Sequence, residues 1–152
     1  MPDHVILISI EEPFAASLSE ERLAAIARRV LEAERAPACE LSIAVTDDET
    51  VRALNREYAG EDAVTDVLSF SQREGEEFVT PPEGVPPLGE VVIAYPQAAR
   101  QAAERGHMAD EEVTRLLVHG VLHLLGYDHA EPEEARRMRG REDALAEGDD
   151  AA

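Results

Sequence analysis

The spacing of apolar residues changes several times along this chain, and each change marks an element. Val5 to Ile10 is a six-residue apolar run closed by Glu11, Glu12 and Pro13, which predicts an opening strand. After Ser17 or Ser19, either of which can cap a helix, Leu23, Ile26, Ala27, Val30 and Leu31 recur at intervals of three and four. That stripe predicts a helix ended by Ala36-Pro37-Ala38. The period then drops to two: Leu41, Ile43 and Val45 alternate with smaller or polar neighbours, as a strand requires. Thr46 or Asp47 can cap a short helix carrying Val51, Leu54 and Tyr58, and Thr65 to Phe70 reads as a third strand. Leu88 to Ala94 is the fourth, with Pro96 placed to open the helix that follows. Asp110 can cap a further helix holding His119 and His123, and a last one is expected from about Glu133 to Ala146.

Two stretches carry no such period. Residues 72–87 are polar and rich in Pro and Gly, which suits a lid, a partner contact or a segment without fixed structure. Residues 147–152 read as a frayed tail. There is no internal repeat and no second domain. Strands interleaved with helices over 1–152 predict one α/β (α+β) domain: a small mixed sheet of roughly four strands packed with about five helices.

Composition narrows the class. The single Cys39 cannot form an internal disulfide, which fits a reducing compartment and leaves nitrogen and oxygen as the donors for any metal. The opening apolar run is too short for a signal segment or a membrane span, so a cytoplasmic protein with no membrane partner is expected. Acids outnumber bases 33 to 14, for a net charge of −19. A field of that sign opposes loose electrostatic attachment to nucleic acid but leaves room for a local cationic patch. All 14 bases are Arg, whose planar fork matches phosphate better than the Lys ammonium does, although genomic base composition is the favoured reading of that usage.

The chemistry concentrates between residues 119 and 129. His119 and His123 are four apart, so a helix projects them from one face. Gly126 can end that helix in the left-handed conformation, letting the chain double back and deliver His129 to the same point. Three imidazoles with a fourth position open form the catalytic pattern for zinc. Val113, Leu117, Val121 and Leu124 should face the core, with the two helical histidines beside Leu116 on a neighbouring strip. The spacing His-x-x-x-His-x-x-Gly-x-x-His is shared with metzincin metallopeptidases, which makes a peptidase one alternative reading. Those enzymes carry a Glu general base directly after the first His, and this chain has Gly120. A tri-histidine zinc is equally suited to phosphodiester cleavage, through an activated water or a polarised phosphoryl oxygen.

With Gly120 in place, the stretch His119-Gly120-Val121-Leu122-His123-Leu124-Leu125-Gly126-Tyr127-Asp128-His129 resembles the signature of the YbeY family of bacterial rRNA-maturation endoribonucleases. Asn55-Arg56-Glu57-Tyr58 followed by Thr65-Asp66-Val67-Leu68-Ser69-Phe70 is similar to that family's central motif. Leu88 to Ile93, Glu112, Met138 and Glu142 also fall in order, so the resemblance runs from about residue 40 to 143. It implies a single-domain fold with one Zn2+ held by His119, His123 and His129. It further implies a metal-dependent endoribonuclease acting on single-stranded RNA in 16S rRNA 3′-end maturation and ribosome quality control. The partners expected are rRNA and the ribosome or its proteins, not DNA. A non-catalytic ribosome-assembly factor with structural zinc is the remaining alternative.

One position departs from the family. Its central motif usually has Arg directly after the tyrosine, and here that residue is Ala59. Arg56 or Arg73 is a candidate for the missing phosphate contact, with plain solvated surface as the other reading of each. Asp128 is a candidate for orienting a ligand imidazole or moving a proton, or else a turn residue. Asp66 either lines the cleft or caps a turn. His4 and His107 are expected on the surface, and Arg136, Arg137, Arg139 and Arg141 in ion pairs within the last helix.

Overall fold

Leu41, Ile43 and Val45 point to one side of their strand and Ala44 to the other, and this alternation organises the molecule. The computed structural model describes residues 4–12, 14–71, 86–127 and 132–148, without the side chains of 132–135, 143 and 146–148. The strands are β1 (Val5–Ile10), β2 (Glu40–Thr46), β3 (Val67–Ser71) and β4 (Pro87–Ala94). The helices are α1 (Glu20–Ala33), α2 (Asp48–Ala59), α3 (Tyr95–Arg105), α4 (Ala109–Leu124) and α5 (Pro132–Gly148), with a 3-10 turn at Phe14–Ser17. The strand order is β1-β2-β4-β3. β1 runs parallel to β2 and β2 to β4, while β3 pairs antiparallel with β4, so the sheet is mixed as expected.

The register explains both sides of the sheet. Leu41, Ile43, Val45, Val91 and Ile93 join the stripe of α1 and the apolar face of α4 in one buried core. The alternate residues Ala44, Val92, Ala94, Leu68 and Phe70 form a smaller cluster with Val51 and Leu54 of α2. All five predicted positions of α1 are buried, as are Val113, Leu117, Val121 and Leu124 of α4. Each buried aliphatic side chain contributes about 1.5–3 kcal/mol, so these two faces account for why the helices sit where they do. Gly89 permits a close approach in β4: a Cβ there would lie 2.3 Å from the Phe70 carbonyl oxygen across the β3–β4 pairing.

Local signals resolve as follows. Ser19, rather than Ser17, accepts from Arg22 N at the start of α1, and Asp47, rather than Thr46, accepts from Thr50 N at the start of α2. Thr46 instead donates its hydroxyl to Glu11. α4 does not start at Asp110. Met108 is the N-cap, because the Glu111 carboxylate reaches back to the Met108 N–H, and Asp110 turns to Arg22 of α1. The third strand begins two residues later than its apolar pattern suggested, since Asp66 spends a carboxylate oxygen on the Val67 N–H. The long polar loop ends sooner than expected, with Pro87 already in β4, and α5 runs on to Gly148, beyond the point where fraying was expected.

Two expectations fail for tertiary reasons. His4 is buried, not exposed: Val5 N donates to the Cys39 carbonyl, Arg28 of α1 donates to the His4 carbonyl, and the His4 ring lies 3.6 Å from Cys39 Sγ. Among the described residues, Arg141 pairs with Glu34 at the end of α1 rather than within α5, at 2.9 Å through Nε and 2.5 Å through Nη2. Tyr58 of α2 is largely exposed and stands edge-on to Phe70.

Candidate metal centre and the adjoining cleft

α4 carries the two helical histidines because its two strips do different work. The strip of Val113, Leu117 and Val121 enters the core and fixes the helix rotation. That rotation leaves His119 half-buried at the cleft and His123 exposed one turn later. The helix ends as the sequence suggests: Gly126 adopts φ 106, and Tyr127 N returns to the Leu122 carbonyl. His129 and Asp128 lie outside the described residues, as does Arg73, so the convergence of the third imidazole and the role of Asp128 rest on the sequence. Among the described residues no group of three or more side chains is gathered to hold a metal.

The feature that supports a metal is the partner of His119. Glu142 of α5 approaches its Nδ1 at 2.6 Å. A carboxylate at that nitrogen keeps the proton on Nδ1 and the lone pair on Nε2, the arrangement that metal-ligating histidines commonly have. The same contact raises the imidazole above the ordinary histidine value, against the opposing effect of burial, and the nearby Asp66 charge adds to the rise. His119 and His123, with this carboxylate behind the first, therefore fit a divalent cation that favours nitrogen donors.

Beside His119 lies a cleft of about 210 Å³. Asp66 at the head of β3, Arg105 at the end of α3, Glu112 and Arg115 on α4 and Glu142 on α5 line it together with His119. Asp66 lines the cleft, where one oxygen accepts from Val67 N and the other from the Gln101 amide. Glu112 is fully buried and pairs with Arg105 at 2.7 Å. Arg56 is not part of this cleft. It is largely exposed and stands 4.0 Å from Asp62, a carboxylate that Arg52 already holds at 2.7 Å. His107 is exposed, as expected.

Gly120, next to the first histidine, faces the sheet. A Cβ there would meet Val91 Cγ1 at 2.7 Å and Ser69 Oγ at 3.2 Å, and Ser69 already donates to the Gly120 carbonyl. A glutamate at this position would be driven into β3 and β4, so position 120 cannot carry a metallopeptidase base.

Sequence reasoning assigned no role to Arg105 or Arg115, and gave Glu142 only its place in the motif order and a share in ion pairs within the last helix. Arg115, one turn before His119, was legible from spacing alone. Glu142 lies 23 residues from His119 on another helix, and the Arg105–Glu112 pair spans the break at Gly106, so neither had a local signal.

Comparison with known proteins agrees with this architecture. The solution structure of TM1509 from Thermotoga maritima superposes with a TM-score of 0.62 at 21% identity, covering 95% of this chain and 89% of that one, which establishes the shared fold. Among curated relatives, the Endoribonuclease YbeY of Roseiflexus castenholzii is 42% identical over 149 residues, spanning 95% of this chain and 94% of its own. That of Chloroflexus aurantiacus is 43% identical over 146 residues, covering 93% of each chain. That of Desulforamulus reducens is 48% identical over 111 residues, covering 73% of this chain and 72% of its own. Residues 9–148 match the family described as Endoribonuclease YbeY, and this chain belongs to that family.

Proposed function

We propose that this chain is a zinc-dependent endoribonuclease that cuts single-stranded RNA, with 16S rRNA 3′-end maturation and ribosome quality control as its setting. Membership of the endoribonuclease family supports the reaction class. The observation that carries the metal dependence is the 2.6 Å contact between Glu142 and His119 Nδ1, on a helix that also presents His123.

His119, His123 and His129 would hold the ion, with Glu142 setting the first ring's tautomer. A bound divalent cation of this kind lowers the pKa of its water and stabilises charge on phosphoryl oxygens. The residues of the chain do the remaining work. Glu142 keeps the His119 ring from turning, and Asp66 is held rigid by two donors where it faces the cleft. Ala59 stands where the family usually presents an arginine after its central tyrosine, so phosphate must be met from elsewhere.

The test joins metal content to activity. The purified chain should carry about one divalent ion, cut single-stranded but not duplex RNA, lose cleavage on chelation and regain it with zinc. His119→Ala should abolish both ion binding and cleavage while keeping its fold. Cleavage that survives chelation and His119→Ala would overturn the proposal. Unfolding of His119→Ala, together with wild-type protein that binds zinc but cuts nothing, would favour a structural ion in an assembly factor. Product ends carrying a 2′,3′-cyclic phosphate would assign the attack to the neighbouring 2′-hydroxyl rather than to water.

A further inference from the structure

Glu112 presents an energetic problem that packing alone does not explain. Its side chain is fully buried. Among the described residues, Oε1 has no hydrogen-bond partner, and the ion pair to Arg105 is made through Oε2. Burying a carboxylate with one oxygen unbonded is costly, and an apolar side chain would fill the space without that cost. What the carboxylate does accomplish is visible at Arg105. The Arg105 side chain is 56% exposed, yet its guanidinium is tied at 2.7 Å to a fully buried carboxylate. A long, solvent-reaching cation is thereby fixed at the edge of the cleft that His119 lines.

Arg115 stands in the same cleft, one helical turn before His119, and Glu112 lies two turns before it. Two arginines from different helices thus line the same cleft as one histidine of the candidate metal centre. Arginine's fork suits phosphate oxygens, and a cation already pinned loses less entropy on binding than a mobile one. The setting sharpens the need. A chain of net charge −19 repels a polyanion, and the two guanidinium groups oppose that field locally in a cleft that Asp66, Glu112 and Glu142 also line. Arg22, Arg52, Arg100 and Arg141 do not line this cleft.

We propose that Arg105 and Arg115 bind a backbone phosphate of the RNA strand beside His119, with Glu112 acting as the positioning residue for Arg105. The inference rests on the endoribonuclease reading above and adds to it the residues that hold the substrate.

The experiment uses the metal-loaded chain and a fluorescein-labelled single-stranded RNA, with anisotropy recorded across a salt series and steady-state cleavage on the same RNA. Arg115→Ala should weaken binding by roughly three- to tenfold, raise KM more than it lowers kcat, and reduce the salt slope by about 0.7. Arg105→Ala alone strands a buried carboxylate and can lose the fold. It is therefore combined with Glu112→Gln, and the double variant should show a loss like that of Arg115→Ala. Arg22→Ala removes the same charge outside the cleft and should stay within about twofold of wild type. Wild-type affinity and salt slope in both Arg115→Ala and the folded double variant would overturn the proposal. So would an equal loss in Arg22→Ala, which would make the effect one of net charge. A wild-type chain that neither binds nor cuts the RNA would sink the endoribonuclease reading itself, whereas one that binds and cuts no better than its variants would sink this inference alone.

Discussion

Tyr127 and Glu34 are 93 residues apart in sequence and 2.5 Å apart in space: the phenol at the exit of α4 donates to the carboxylate at the end of α1. Arg141 of α5 grips the other oxygen of the same carboxylate. One side chain thus joins three helices at the point where the chain leaves α4 toward His129. Tyr127→Phe should cost about 1–2 kcal/mol, read as a lower urea midpoint at unchanged m-value. The hydrogen bond to Glu34 raises the Tyr127 pKa above its ordinary 10.0. The native state therefore keeps the phenolic proton longer than the unfolded chain does. The resulting stability is fully present below pH 10.0 and is lost as pH rises through the higher native value. Wild type should lose stability relative to Tyr127→Phe in strongly alkaline buffer. Parallel curves for the two proteins there would refute the link.

Gly120→Ala should destabilise the protein by about 1–3 kcal/mol, despite the better helix propensity of alanine. The new methyl would lie 2.7 Å from Val91 Cγ1, and a β-branched valine inside a sheet cannot swing away. Thermal unfolding checks the sign: an unchanged or higher Tm would mean that β4 yields more easily than its pairing suggests.

Glu142→Gln tests the metal centre without touching a ligand. The amide can no longer hold the Nδ1 proton as a charged acceptor does, so zinc affinity should fall about 10- to 100-fold while the fold persists. Competition against a chromogenic chelator gives the number. An affinity equal to wild type would show that the 2.6 Å contact does not serve ion binding.

Asp47→Ala should cost about 1 kcal/mol, because the Asp47 carboxylate is the cap of α2 and accepts from Thr50 N at 2.7 Å. The Thr50 hydrogen bonds hold the carboxyl below its ordinary 3.8. A lowered native pKa gives stability that is present above pH 3.8 and is lost as pH falls through the native value. The difference between variant and wild type should therefore shrink in acid, and denaturant melts at neutral and acidic pH measure it.

Much of this architecture was legible because it depends on short-range spacing. The three- and four-residue intervals of α1 and α4, the alternation of β2 and the stop at Gly126 are all properties of neighbouring residues. They could be read before any contact was known. The pair His119 and His123 belongs to the same class, since a helix of known pitch fixes which residues share a face.

Tertiary structure decided what spacing cannot encode. Whether Glu142 meets His119 depends on how α5 crosses α4, and whether Arg105 meets Glu112 depends on the turn through Gly106. His4 looked like a surface residue until β1 zipped onto β2 beneath α1. Gly120 looked like a missing base until the sheet proved to occupy its side-chain volume. In each case the outcome turns on an angle and a distance between separate elements, set by the packing of the whole core rather than by the residues at hand. The amino-acid order by itself thus determined the elements, their inward faces and the helical histidines. The folded core decided which distant carboxylates and guanidinium groups came to stand beside them.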